Sequence, residues 1–245
     1  MAVNPGIIQV PNKLLEHDHY WYNPSQVISP DFFAQLCKDF PSLDHFEWHD
    51  GYQRKHGQRP HNRFYLAYEE SLHHLEPYSG KGLIKHHSLP ESWQLFMHEL
   101  ETNKEYRDFM RDFLKVKDFI TRYEWHVGGT DCEVSPHLDA DAKIGKHIFY
   151  FNTAEDWDEN WGGQTVLLEG KCVDNMRPDF EDFENAIETK ILNNHSFLLR
   201  NGPTSWHGVK PLTCPNNKYR KILNVVWEYP DAGLNGMEYR ANYTE

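Results

Sequence analysis

The sequence predicts a mainly β fold with helices at its N-terminal side, built as one domain over residues 1–245. Three observations predict it. Apolar residues recur at helical spacing in three segments before residue 117. From residue 118 onward, short apolar segments follow one another with glycine turns between them and no helical pattern to separate them. No internal repeat, low-complexity tract or long linker divides the chain. Short strands in series without intervening helices point to an antiparallel sandwich, a jelly roll or a barrel.

The elements follow in order. Ser29-Pro30-Asp31 reads as a helix start, with Ser as N-cap and Pro at the first helical position, and Phe32, Phe33, Leu36, Cys37 and Phe40 continue it until Pro41. A second helix opens at Pro90-Glu91-Ser92 and runs through Leu95, Phe96 and Leu100, and a third carries Tyr106, Phe109, Met110, Phe113 and Leu114. Residues 44–88 show no sustained period and read as loop and short strand. Strands are expected at 119–127, 146–151, 164–169, 196–200 and 221–229, with turns at Gly128-Gly129, Gly162-Gly163 and Asn201-Gly202-Pro203. The acidic stretch 174–188 reads as a solvated excursion with at most a helical turn.

Composition narrows the function. With 25 Lys+Arg against 37 Asp+Glu the formal net charge is -12, which disfavours a broad grip on phosphate backbones and so a nucleic-acid partner. The 14 Phe, 13 Tyr and 8 Trp exclude a disordered chain. No apolar run approaches the ~18 residues of a membrane span, and the segment MAVNPGIIQVPNKLL lacks the basic flank of a secretory signal. Cys37, Cys132, Cys172 and Cys214 are widely spaced, so a reducing, cytoplasmic setting without membrane attachment is expected.

Among 16 histidines only one stands in a His-x-Asp pair, at His137-Leu138-Asp139. Residues i and i+2 of an extended segment project to one side, so imidazole and carboxylate can meet one ion. His45-Phe46-Glu47 is a similar pair and reads as surface polarity. A third ligand is available at His207, in Ser205-Trp206-His207-Gly208-Val209. Two His and one carboxylate with open positions is the ligand set of non-haem Fe(II) oxygenases.

Around that set, blocks recur in a particular order: Arg122-Tyr123, Pro136-His137-Leu138-Asp139, His147-Ile148-Phe149-Tyr150-Phe151-Asn152, Trp161-Gly162-Gly163-Gln164-Thr165, Trp206-His207-Gly208-Val209 and Arg220-Lys221-Ile222-Leu223-Asn224-Val225-Val226-Trp227. Over residues 119–230 the sequence thereby resembles the 2-oxoglutarate- and Fe(II)-dependent oxygenases, most closely their prolyl-4-hydroxylase-like branch. The resemblance implies a double-stranded β-helix, a cupin-like jelly roll, over about 118–230, flanked by helices and with a helical and substrate-loop region over about 1–117.

It further implies iron held by His137, Asp139 and His207, with 2-oxoglutarate as co-substrate, dioxygen as oxidant and ascorbate as a supporting reductant. In such enzymes oxidative decarboxylation to succinate is coupled to hydroxylation of a C–H bond. The distal carboxylate of 2-oxoglutarate needs a cation, and Arg220 and Lys221 are neighbours that point to opposite faces of the last strand. Arg220 is favoured because it brings Asn224 inward with it; Lys221 would instead align Trp227 with a family aromatic. Tyr150 matches a family tyrosine that shares the distal carboxylate, and Tyr123 one that lines the iron pocket. Trp206 and Trp227 are expected to pack, Gly162-Gly163 to turn, and His126, His147 and His195 to be structural.

The substrate is open between a prolyl or other peptidyl residue and a small metabolite. Loops 44–88 and 172–190 would set it, with Tyr52, Arg54, Lys55, Arg59, Arg63 and Tyr65 in the first. Two other readings stand beside the hydroxylase. One is a non-catalytic jelly-roll binding module, and the other a cupin-type metal isomerase or zinc hydrolase, which would require neither Arg220 nor Tyr150.

Overall fold

The computed structural model describes residues 6–16, 18–52, 61–71 and 81–230. Helices α1 (Pro30–Lys38), α2 (Glu91–Thr102) and α3 (Lys104–Leu114) fall on the three segments with helical spacing. Pro30 occupies the first turn of α1, where a missing N–H costs nothing, although the Ser29 hydroxyl makes no capping bond. Asn103 ends α2 and begins α3, accepting the Tyr106 N–H at 3.0 Å through its side-chain oxygen.

The strands are β1 (Trp21–Tyr22), β2 (Glu47–Tyr52), β3 (His61–Tyr68), β4 (Leu83–Ile84), β5 (Ile120–Gly128), β6 (Val134–His137), β7 (Lys143–Tyr150), β8 (Val166–Lys171), β9 (Phe183–Glu188), β10 (Ser196–Arg200), β11 (His207–Val209) and β12 (Arg220–Glu228). A large sheet has the order β1-β10-β7-β12-β5-β3-β2, with β4 beside β3 in the one parallel pair; a smaller antiparallel sheet has the order β6-β11-β8-β9. Among the described residues the fold is therefore mainly β and mainly antiparallel, with three α-helices.

The large sheet is covered on both faces. One face of its central strands carries Phe149, Tyr123, Trp125, Val127, Leu223 and Val225, which share a core with the helices. Trp93 of α2 is the hub of that layer, with ring centroids 4.8 Å from Phe151, 5.5 Å from Trp125 and 5.7 Å from Phe40. The other face packs Ile148, Tyr150 and Ile222 against Leu167 and Val209 of the small sheet. Gly145 marks a close approach, because a Cβ there would lie 2.4 Å from the Leu199 carbonyl and 2.6 Å from Leu114.

Two sequence expectations need correction. Residues 44–88, read from the sequence as loop and short strand, hold three sheet strands: the two-residue β4 agrees with that reading, and the longer β2 and β3 depart from it. Their period is hidden because only Phe64, Leu66 and Tyr68 face the helices, while the alternate residues of β3 are polar or small. Within 174–188, a turn of 3-10 helix (Phe180–Asp182) leads into strand β9 at the edge of the small sheet. All but Phe183 of β9 are exposed, which erased the apolar signal. Arg54, Lys55 and Arg59 lie outside the described residues. Among the described residues, no helix is long and apolar enough to cross a membrane.

Two outcomes are expected. Trp93→Ala should lower stability by about 3–5 kcal/mol in urea unfolding, the cost of deleting a fully buried indole. In the native protein at mildly alkaline pH, a thiol reagent should modify exposed Cys172 quickly. Cys37, whose thiol burial pushes up to about 12, should react only on unfolding.

Candidate metal centre and its pocket

Strand pairing builds the centre. His207 at the start of β11 lies directly opposite His137 at the end of β6, and the two rings stand 4.3 Å apart. Asp139 follows two residues after His137 and projects to the same side. One ligand atom from each of the three residues lies within 4.8 Å of the others, and all three side chains are buried.

The imidazoles are oriented by the backbone. Nδ1 of His137 donates to the Ser135 carbonyl at 2.9 Å, and Nδ1 of His207 donates to the Ser205 carbonyl at 2.8 Å. A carbonyl oxygen can only accept, so each ring carries its proton on Nδ1 and presents the Nε2 lone pair. That is the tautomer a metal needs, held by an outer hydrogen bond. Burial, reinforced by neighbouring charge, holds both rings neutral, His137 well below its ordinary value and His207 down to about 4. Burial opposes ionisation of Asp139, but Lys143 and Lys146 outweigh it and keep the carboxylate well below its ordinary range. The group therefore offers two neutral nitrogens and one anionic oxygen, which suits Fe(II).

The pocket continues from these residues onto the large sheet. Arg220 and Asn224 face it from β12, whereas Lys221 points to the opposite face and pairs with Asp156 at 2.8 Å. Arg220 Nε donates to the Gly163 carbonyl at 2.6 Å, and its guanidinium lies 5.4 Å from the centre of the Tyr150 ring. Gly163 has φ 95°, and a Cβ there would meet Arg220 Cδ at 2.9 Å, so glycine makes room for the cation. The Tyr150 hydroxyl bonds Thr165 Oγ1 at 2.7 Å. Nη2 of Arg220 is buried without a hydrogen-bond partner. An orphaned donor of a buried guanidinium, beside two hydroxyls, fits a carboxylate.

Placement departs from expectation at Tyr123. It sits on the helical face of β5 among Tyr68 and Trp125, with its ring 5.8 Å from Tyr68, and does not line the pocket. Strand parity is the reason, since Arg122, Glu124 and His126 take the pocket face. His126, expected to be structural, lines the pocket and bonds Glu124 at 3.1 Å. His147 shares a 2.9 Å hydrogen bond with the Tyr106 hydroxyl, and His195 donates to the Leu192 carbonyl at 2.6 Å. Trp206 packs on Phe183 and Trp227 beside Phe119. Of the loop residues, Arg63 lines the pocket from β3, and Tyr65 on the same face stacks with His49.

Sequence reasoning missed Lys146 and the charges of Arg122 and Glu124 in the pocket lining. Arg122 is ion-paired with Glu124 and, at 3.0 Å, with Glu228. Lys146 Nζ lies 2.5 Å from Asp139 Oδ2 and 3.1 Å from His207 Nε2. The signal was present: Lys146 stands four residues before Tyr150 on one strand, so an inward Tyr150 requires an inward Lys146.

Solved structures share this architecture. A Pseudomonas putida prolyl-4-hydroxylase superposes with a TM-score of 0.54 at 12% identity, over 86% of this chain and 93% of that one. The chain shares the fold of prolyl-4-hydroxylases. A Trichoplax adhaerens prolyl hydroxylase solved with a hypoxia-inducible-factor peptide gives 0.54 at 9% identity, over 92% of this chain and 96% of that one. SnoK, a non-haem α-ketoglutarate-dependent carbocyclase of nogalamycin biosynthesis, gives 0.57 at 10% identity, over 93% and 91%. No family model and no curated protein matches the sequence. The resemblance to prolyl-4-hydroxylase-like oxygenases read in residues 119–230 is thus matched by a fold shared over most of the chain.

Removing Asp139 would leave the Lys146 ammonium buried without its carboxylate. In chelator-treated protein, Asp139→Ala should cost about 3–5 kcal/mol in urea unfolding, the usual penalty for breaking a buried ion pair from one side.

Proposed function

We propose that this chain is an Fe(II)- and 2-oxoglutarate-dependent oxygenase whose outcome is hydroxylation of a C–H bond, carried on a double-stranded β-helix core. The observation that carries the reading is one pocket that combines His137, Asp139 and His207 with the inward Arg220. A metal isomerase or a bare binding module has no need of the second feature.

The roles follow from placement. His137, Asp139 and His207 would hold the iron, leaving positions for the co-substrate's chelating oxygens and for dioxygen. Iron and 2-oxoglutarate together supply the oxidising chemistry, and the protein contributes binding, orientation and a dry site. Arg220 would bind the distal carboxylate through its unpartnered Nη2, with the Tyr150 and Thr165 hydroxyls beside it. Asn224, whose Oδ1 is also buried without a partner, faces the same space and would orient co-substrate or substrate. Tyr123 has no place in this scheme except as support for β5. An ionised carboxylate at position 139 leaves no room for a halide at the metal, which favours hydroxylation over halogenation.

The primary substrate would be a prolyl or other peptidyl residue or a small metabolite, meeting Arg63 and His126 in the pocket. Those side chains suit a polar molecule.

The decisive experiment is anaerobic titration of the Fe(II)-loaded protein with 2-oxoglutarate, read by the weak visible band that bidentate chelation produces. The band should appear, and His137→Ala should abolish both metal uptake and the band. Arg220→Ala should weaken 2-oxoglutarate binding by roughly tenfold to a hundredfold, the range for one charged hydrogen bond, and Lys221→Ala should leave it unchanged. Iron uptake without the band, or Lys221→Ala behaving as Arg220→Ala, would sink the assignment.

A further inference from the structure

Lys146 is the least expected residue of the pocket. Its side chain is 8% exposed, and that of Asp139, its partner at 2.5 Å, is 1% exposed. It emerges from the middle of the large sheet, with its neighbours in register, Val226 and Arg122, beside it on β12 and β5. Its ammonium lies between Asp139 and His207, touching the same two atoms that would bind a metal.

Those contacts are exclusive. Nε2 of His207 has one lone pair, because Nδ1 keeps the ring proton for the Ser205 carbonyl. That lone pair can accept from the lysine or bind an ion, and it cannot do both. A divalent cation beside an ammonium at contact distance is also strongly repelled in a buried site. The metal and the ammonium therefore exclude each other.

An ammonium moved aside must still find a partner, since a buried unpaired charge is costly. On the large sheet beside it, Glu124 is paired with Arg122 and His126, and Glu228 with Arg122. Lys143 meanwhile holds the other Asp139 oxygen at 3.2 Å, so the carboxylate keeps an outer partner after the exchange. The flexible four-carbon stem allows the movement. What the displaced cation lacks is an anion next to the metal, and 2-oxoglutarate is a dianion.

We propose that Lys146 is an internal counter-cation that the metal must displace, and that the displaced ammonium then pairs with 2-oxoglutarate, so that metal and co-substrate load the site cooperatively. This rests on the metal and co-substrate reading above.

The test is a cycle of Mn(II) affinities, measured from free Mn(II) by electron paramagnetic resonance, for the wild type and Lys146→Met with and without 2-oxoglutarate. Without 2-oxoglutarate the variant should bind Mn(II) about tenfold or more tightly, having lost a competing charge. With saturating 2-oxoglutarate the gap should close or reverse, because the variant has also lost the anion's partner. Lys146→Gln, which keeps a neutral donor for Asp139, carries the same expectation should the methionine variant fold poorly. Binding by the variants that is equal to or weaker than wild type without 2-oxoglutarate overturns the displacement, and a gap indifferent to 2-oxoglutarate overturns the pairing. If no form takes up Mn(II), the triad itself is not a metal site and this inference falls with it.

Discussion

A sheet buried on both of its faces must sort its residues by parity, and this constraint organises the molecule. Along β5, β7 and β12 every second side chain enters the aromatic layer beneath the helices, and the intervening ones enter the space between the sheets. A shift of one residue in β5 would exchange Trp125 for Glu124 or His126 inside the helical core. The aromatic layer, with Trp93 at its hub, thereby fixes which polar residues face the candidate metal centre. Packing on one side of the sheet selects the chemistry on the other.

The pocket is correspondingly rich in buried charge. Arg122 and Glu124 line it and pair with one another, Glu228 supports Arg122 from behind the lining, and Lys143, Lys146 and Asp139 form a second ionic group at the triad. Buried pairs of this kind add little net stability over apolar replacements, while losing either member is expensive. Their presence in the interior fits a site that must present full charges to a small ligand. The small sheet supplies the complementary part, placing His137 and His207 in register and turning both rings by bonds to the backbone.

Much of this was legible in the sequence. The helices follow from local signals, the prolines at 30 and 90 and apolar spacing, which need no tertiary partner. The His-x-Asp pair and the order of the later blocks pointed to the triad, and Asn224 four residues after Arg220 pointed to the inward phase of β12. Strands β3 and β9 were obscure for opposite reasons: one has a polar face turned to a buried pocket, and the other is an exposed edge. Tyr123 was misplaced because it was matched by block position, whereas the run Tyr123, Trp125, Val127 is the apolar phase of its strand.

By itself, then, the sequence determined the residue types of the centre, the mainly β class and the starts of the helices, because spacing and capping act over a few residues. Only the tertiary structure decided that His207 lies opposite His137, that Arg220 and not Lys221 enters the pocket, and that Lys146 reaches Asp139. Each depends on register between strands distant in the chain. Register is set by how two faces of one sheet are simultaneously buried, and no local pattern contains it.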